Sequence, residues 1–486
     1  MLGRKIKILS TLALPLFAAG CVSTSYSAKD AGFLSASLKA GEATGKQTVW
    51  VQNQQHAQVV RDRVKTLMAK KTIDVETAVQ VALLNNKGLQ AAYSDLGDSA
   101  ADAWQTQLSV FPTFSVGLSG IGTPGLEAYR VLEGAIAANI LALATYDKNI
   151  KLAETRFRQA QLNAALATIS LAADTRRAWV NAVAAWENVA YLNRARAAAE
   201  AASDLTQKLG EAGSMPKGNQ AREHVFYAEL TADAAKAKLS ARLAKEELIR
   251  LMGLSGTDIE FQIPNRLPSL PKALIKRNDI EAEAIHKRMD LQVARLELQA
   301  LAQSYKLDDA TRFVTDIELV GTVEKERERE DHGIVSEVSR TASLEFTIPI
   351  FDSGQARLRK GELAYMRAAN QLAELAVNVR SEARSAYQAY RANYDIARHY
   401  RNNVLPLRNA IDEQSLLTYN GMLTSTFELI SDSRDSINST LLAVNAKRDF
   451  WLAEANLAPA LYGGSAGAPS GETEVASAEA AEGGGH

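Results

Sequence analysis

The sequence predicts a mainly α-helical fold with a small β part, built from one unit used twice along 486 residues. Three observations predict it. Segments about two hundred residues apart repeat each other, long apolar stripes at helical spacing fill most of each copy, and runs with two-residue alternation recur at the same place in both. Composition agrees, since 11 prolines and 6% aromatic residues suit long helices better than a sandwich that turns every few residues. Lys and Arg total 55 against 56 Asp and Glu, and a formal charge of -1 leaves no cationic field for nucleic acid. One cysteine excludes a disulfide framework and a cysteine-rich metal site.

That cysteine marks the first element. Arg4, Lys5 and Lys7 precede an apolar run from Ile8 to Ala19, and Gly20-Cys21 follow, so residues 1–20 read as a secretory signal peptide. Small residues ending in Cys21 resemble the bacterial lipobox, with Ala18 where a Leu is usual, after which Cys21 would be acylated. A plain signal peptide with an incidental cysteine is the other reading. Val22, in place of the Asp that favours inner-membrane retention, points to the outer membrane. Residues 21–71 form a lipidated lead segment, expected to be an extended link. Beyond Cys21 no run reaches the roughly 18–20 apolar residues of a spanning helix, so any crossing of a bilayer must use β-strands in a closed barrel.

The duplication comes next. Leu89-Gln90-Ala91-Ala92 returns as Leu291-Gln292-Val293-Ala294 and Phe111-Pro112-Thr113 as Phe313-Val314-Thr315, both at an offset of 202. Trp179 and Trp186 answer to Tyr387 and Tyr394 at 208, so the second copy is longer in one place only. The first repeat, 72–254, holds a helix over 74–108 with Asp74 as N-cap, a β-hairpin at about 111–143, a long helix over about 144–209, a turn at Gly210–Gly218 and a helix over about 219–252. A linker covers 255–278. The second repeat, 279–462, holds a helix over 279–311, a hairpin at about 313–351, a long helix over 354–418 that Pro406 kinks or breaks, and a helix over 425–458. Helices this long must lie in a coiled coil to bury their alanine-rich stripes. The polar, Gly-rich tail 463–486 is expected to be disordered.

The β segments discriminate between a generic bundle and something else. From Val338 to Ile350 the even positions are mostly apolar and the odd ones are mostly polar; Phe114, Val116 and Leu118 oppose Ser115, Gly117 and Ser119. Such lengths suit tilted transmembrane strands with lipid on one face and water on the other, although a soluble surface hairpin alternates too. The charged stretch Glu324–Asp331 reads as an external loop. Four strands cannot close a barrel, and open edges in lipid would leave backbone groups unpaired at several kcal/mol each. Two or three chains would supply 8 or 12 strands, and a trimer leaves room for a lumen.

The sequence resembles the outer membrane efflux protein family, the TolC-like outer membrane factors, in its lipoprotein branch. The resemblance covers nearly all of 72–462. It rests on Ala78, Ala82, Leu83, Asn85, Asn86, Leu89, Ala91 and Ala92, on Phe111-Pro112, on Pro349-Ile350-Phe351-Asp352-Ser353-Gly354, and on Tyr419-Asn420-Gly421 leading to Glu428-Leu429-Ile430. Met289-Asp290, Val314 and the lone Tyr146-Asp147 depart from the family pattern. The resemblance implies a homotrimer with a 12-stranded barrel over an α-helical periplasmic tunnel, in outer membrane lipid. It implies a channel of a tripartite export system, working with a periplasmic adaptor and an inner-membrane pump for efflux or type I secretion. Gly213, Gly421, Met422 and Leu423 would be the adaptor-contact tips. Glu428 and Asp432 are candidates for an acidic periplasmic gate, although an acidic residue such as Glu428 also simply favours a helix N-terminus.

Other motifs carry less. Gly120-Ile121-Gly122-Thr123-Pro124-Gly125 has dinucleotide-loop lettering without a following βαβ unit, and Ser214-Met215-Pro216-Lys217 lacks the partners of an acyl-enzyme site. His56, His224, His286, His332, His399 and His486 show no metal spacing. No catalytic residue, cofactor or metal is expected, and an enzyme is not. The competing expectation is a non-conducting envelope lipoprotein that uses its coiled coil as a spacer or tether.

Overall fold

A computed structural model describes residues 30–464 apart from 70, 71, 123, 125, 127, 128, 331, 332, 350 and 422. Cys21, the signal peptide, Met422, Ile350 and residues 465–486 of the tail therefore lie outside the described residues. In chain order the elements are α1 (Phe33–Thr44), α2 (Gln54–Met68), α3 (Val75–Asn85), α4 (Lys87–Leu108), β1 (Thr113–Ser119), β2 (Val131–Asn139), α5 (Ile140–Glu211) and α6 (Lys217–Met252). Then come α7 (Ile280–Lys287), α8 (Met289–Ala310), β3 (Asp316–Glu330), β4 (Gly333–Thr347), α9 (Gln355–His399), a π-helical turn (Tyr400–Val404), α10 (Leu405–Asn420), α11 (Thr426–Ala455) and α12 (Leu457–Tyr462). The fold is mainly α with one small sheet.

Two compact units are present, and they do not follow the repeats. One comprises 30–38, 91–165 and 290–376; the other comprises 39–90, 166–289 and 377–464. Each repeat gives its hairpin to the first unit and its helix-turn-helix to the second.

In the first unit the four strands form one antiparallel sheet in the order β1-β2-β3-β4, so β1 and β4 are its edges. Tyr93, Leu96, Ala100 and Ala103 make the buried stripe of α4, and Phe33 meets Tyr93 edge-on at 4.7 Å. Thr155 and Gln159 of α5 bond Gln303 and Glu297 of α8 at 3.1 and 2.9 Å. The turn from β4 into α9 explains the Asp-x-Gly end of the Pro-Ile-Phe-Asp-x-Gly motif. Asp352 Oδ1 accepts from the Gly354 amide at 2.8 Å, and Gly354, at φ +72°, starts the helix where a Cβ would lie 2.9 Å from that of Arg312.

The second unit is built around a core of Ile73, Ala78, Val81, Ala82, Trp179, Val183, Leu248 and Met252. Both repeats tie their long helix to the chain just before their first short helix. Trp179 Nε1 donates to the Ile73 carbonyl at 3.0 Å, and Tyr387 Oη accepts from the Arg277 amide at 3.1 Å. Asn85 and Asn86 explain another part of the family-like lettering. Asn85 Nδ2 donates to the Met252 and Gly253 carbonyls at 3.1 and 2.6 Å, and Asn86 Nδ2 to that of Leu251 at 2.9 Å. These are the orphan carbonyls at the end of α6, which closes on Gly253 at φ +65°. A Cβ on Gly253 would stand 3.0 Å from the Asn85 oxygen.

Three expectations need correction. The helices expected over 74–108 and 279–311 are each broken once, at Asn86 (φ -64°, ψ 123°) and Arg288 (φ -63°, ψ 120°), again 202 residues apart. Asn86 Oδ1 restarts the first by accepting from the Leu89 amide at 3.0 Å. The expected extended lead segment contains α1 and α2, whose Ala36, Ala40, Val60 and Val64 are buried. The charged run from Glu324 to Glu330 is strand, not loop, and pairs with Gly333–Ser339. The long helix is interrupted just before Pro406: the chain passes through the π turn, Leu405 N–H bonding the Tyr400 carbonyl, and α10 begins with Pro406 in its first turn.

Candidate functional site

Directly paired residues of an antiparallel sheet share a face, so the register sorts every side chain. Pairing of Phe114 with Ile136, Leu118 with Leu132, Leu319 with Leu344 and Ile317 with Phe346 gathers the large apolar groups on one face. Phe114, Val116, Leu118, Ile136, Leu319, Leu344 and Phe346 are all about half exposed. The other face carries Ser115, Thr322, Thr341 and a crowd of carboxylates. Glu133 stands opposite Glu324, Glu318 opposite Glu345, and Glu326 opposite Glu337. Like charges directly across a ladder are destabilising, so this face is built for water. Asn139 Nδ2 relieves one end by donating to Asp316 at 2.8 Å, and Arg130 reaches Glu326 at 3.3 Å at the other.

Seven large apolar side chains, each about half exposed on one face, form a patch of the kind that marks contact with a partner or a membrane. The arrangement is what lipid on one side and water on the other demand of a strand. Edge strands β1 and β4 offer unpaired backbone groups for the same ladder to continue.

The second unit holds the helix turns. Gly213, at φ +72°, closes α5 with its amide on the Gly210 carbonyl at 3.0 Å and the Ser214 amide on that of Leu209 at 2.8 Å. Gly421, at φ -78°, does the same for α10, with bonds from Gly421 to Leu417 at 3.0 Å and from Leu423 to Thr418 at 2.9 Å. Both glycines are exposed, and Leu423 is 79% exposed. The structure brings the helices behind the two turns together: Ile430 and Ile437 of α11 pack on Phe226 and Leu230 of α6, and Arg434 bonds Glu229 at 2.9 Å.

The acidic gate candidates differ. Glu428 is exposed, and its amide bonds the Ser425 hydroxyl at 3.3 Å, which makes it the third residue of a capped helix. Asp432 is half-buried and accepts from Ser415 Oγ. It belongs to a polar ladder between α10 and α11 that no pattern of residues along the chain foretells. Asp412 accepts from Ser436, and Arg408 meets Ser439 at 3.1 Å and Asp435 at 3.6 Å. Glu223 was also not foreseen. It is 3% exposed, its Oε2 has no partner, and burial pushes its carboxyl above the usual range against the pull of His224 and Arg434. Its neighbour His224 bonds Ser203 at 2.5 Å.

Among the described residues no helix is long and apolar enough to cross a membrane, and no cluster of metal-ligating side chains occurs. No protein-family model matches the sequence, and no curated relative is matched by it. Solved structures do match. The chain has the fold of the outer membrane factor channels. It superposes on the CmeC outer membrane channel of Campylobacter jejuni with a TM-score of 0.70 at 17% identity, over 80% of this chain and 85% of that one. The outer membrane protein VceC of Vibrio cholerae gives 0.66 at 16%, over 80% and 96%. CusC, studied for its folding and transmembrane channel formation, gives 0.66 at 16%, over 81% and 94%.

Proposed function

We propose that three copies of this chain form an outer membrane channel of a tripartite export system. Each copy supplies two hairpins to a 12-stranded barrel whose apolar face meets lipid and whose acidic face lines water. The observation that carries this reading is the sheet itself, amphipathic by register and open at both edges. Closure by strands of a further copy satisfies the edge groups that lipid would leave unpaired. The solved structures that share the fold support a channel: CmeC is an outer membrane channel, and CusC forms a transmembrane channel.

The helical part then stands in the periplasm, and Gly213, Gly421, Met422 and Leu423 are the tips that receive an adaptor joined to an inner-membrane pump. Glu428 is the better gate residue of the two candidates, because Asp432 is already engaged by Ser415. A lipid on Cys21 holds the assembly at the outer membrane. A tether without a pore has no use for a water-facing sheet, so the channel is preferred over the spacer. Purified protein added to a planar bilayer is expected to give stepwise, uniform conductance. Stable trimers that insert and never conduct, even with the Glu428→Gln gate variant, would overturn the reading.

A further inference from the structure

The run Glu324-Lys325-Glu326-Arg327-Glu328 looks self-neutralising in sequence, yet the pleat separates its signs. The register pairs Lys325 with Val338, Arg327 with Ser336 and Arg340 with Val323, all on the apolar face, while Glu324, Glu326 and Glu328 lie on the other. Among the described residues none of these three cations forms an ion pair, although carboxylates flank two of them in the chain. The Arg327 guanidinium lies 5.0 Å from the Tyr129 ring, and its Nε is shielded from water without a partner. Lys325 and Arg327 follow Val323, the last apolar residue of that face of β3, by two and four positions. Lys325 is level with Val338 at the outer edge of the apolar band; for a strand tilted about 45° with about 3.4 Å per residue, Arg327 stands about 5 Å beyond that edge, where headgroups begin, and Arg340 about 5 Å inside it, within reach of its long side chain.

We propose that Lys325, Arg327 and Arg340 form a phosphate-binding belt for the phosphorylated glycolipid of the outer leaflet. The inference rests on the channel reading, which places this hairpin end, opposite the helix-bearing end of the sheet, at the cell exterior. Guanidinium and ammonium groups match phosphate oxygens in charge and in donors, and cations beside an apolar band are what anionic lipid recruits. Zwitterionic lipid would leave three cations desolvated without compensation.

The test uses the full-length trimer in detergent, titrated with bisphosphorylated lipid A, with the same lipid A dephosphorylated, with phosphatidylglycerol and with inorganic phosphate. Bisphosphorylated lipid A is expected to bind about 100-fold more tightly than the dephosphorylated form. The triple variant Lys325→Gln, Arg327→Gln, Arg340→Gln should abolish that difference, and the pair Glu318→Gln, Glu345→Gln on the water face should keep it. If the triple variant fails to assemble, Arg327→Gln alone is expected to weaken binding about fivefold. Equal binding of both lipid A forms, or unchanged discrimination by the variants, overturns the proposal. Phosphatidylglycerol binding as tightly, or inorganic phosphate competing at micromolar concentration, also overturns the assignment to the glycolipid. Bilayer conductance of the same sample separates the two readings. A conducting trimer blind to phosphate sinks the belt alone, whereas a sample that never conducts sinks the channel.

Discussion

Leu344 and Glu345 are neighbours in β4, and the face assignment gives them opposite fates. Leu344 faces Leu319 on the apolar side, and Glu345 faces Glu318 on the other. From Val338 to Ile348 the strand line rises about 34 Å at about 3.4 Å per residue, or about 24 Å vertically at a 45° tilt, close to the height of a barrel's apolar band. Leu344 sits near the middle of that rise. Leu344→Arg therefore puts a guanidinium at the bilayer midplane, at a cost of about 2–4 kcal/mol per chain and about 6–12 kcal/mol for three. Glu345→Arg instead replaces a like-charge pair with an opposite one and gains about 0.2–1 kcal/mol. The assay is the yield of heat-modifiable trimer in outer membrane fractions, compared at equal expression. Leu344→Arg should lose nearly all of it, and Glu345→Arg should match or exceed the unaltered protein. Equal losses, or the reverse order, would refute the assignment of the faces.

Further expectations follow from the helical unit. Asn86→Ala removes an N-cap for α4 and a side-chain bond to the Leu251 carbonyl, together about 2 kcal/mol. Amide exchange over 87–92 and 249–254 should quicken about 30-fold, and an unchanged rate contradicts the capping role. Glu223 has a folded pKa raised by burial, so its stabilising contribution is complete below the ordinary value near 4.3 and is lost as pH rises through the raised one. Glu223→Gln should therefore raise the melting temperature at pH 7.5 and give no advantage at pH 4; an equal gain at both values would point to packing instead. A photo-crosslinker placed at Leu423 should trap a periplasmic adaptor that one at Leu239, exposed along α6, does not. Capture at both positions alike counts against the tip as the docking point.

Much of this architecture was readable because duplication and alternation are local signals. The strand pairing of β1 with β2 and of β3 with β4 follows the even and odd positions, and Asp352 and Gly354 carry their own turn. The breaks at Asn86 and Arg288 were not readable, because neither residue is a helix breaker. Asn86 is drawn out by the distant end of α6, and Arg288, 4% exposed, is pulled to Glu382. The extension of β3 to Glu330 was hidden by composition, since a solvated loop and a strand with water on one side can share the same charged letters. Glu223 and the ladder from Arg408 to Ser439 depend on which helices become neighbours, and one copy of a repeat does not say that.

Electron cryo-microscopy of the detergent-purified, full-length protein counts the chains around the sheet. Three are expected, with β1 of one copy hydrogen-bonded to β4 of the next and the carboxylates of Glu133, Glu318 and Glu345 turned to a water-filled lumen. A single chain with both edges free, or a closed ring with those carboxylates facing the detergent belt, would contradict it.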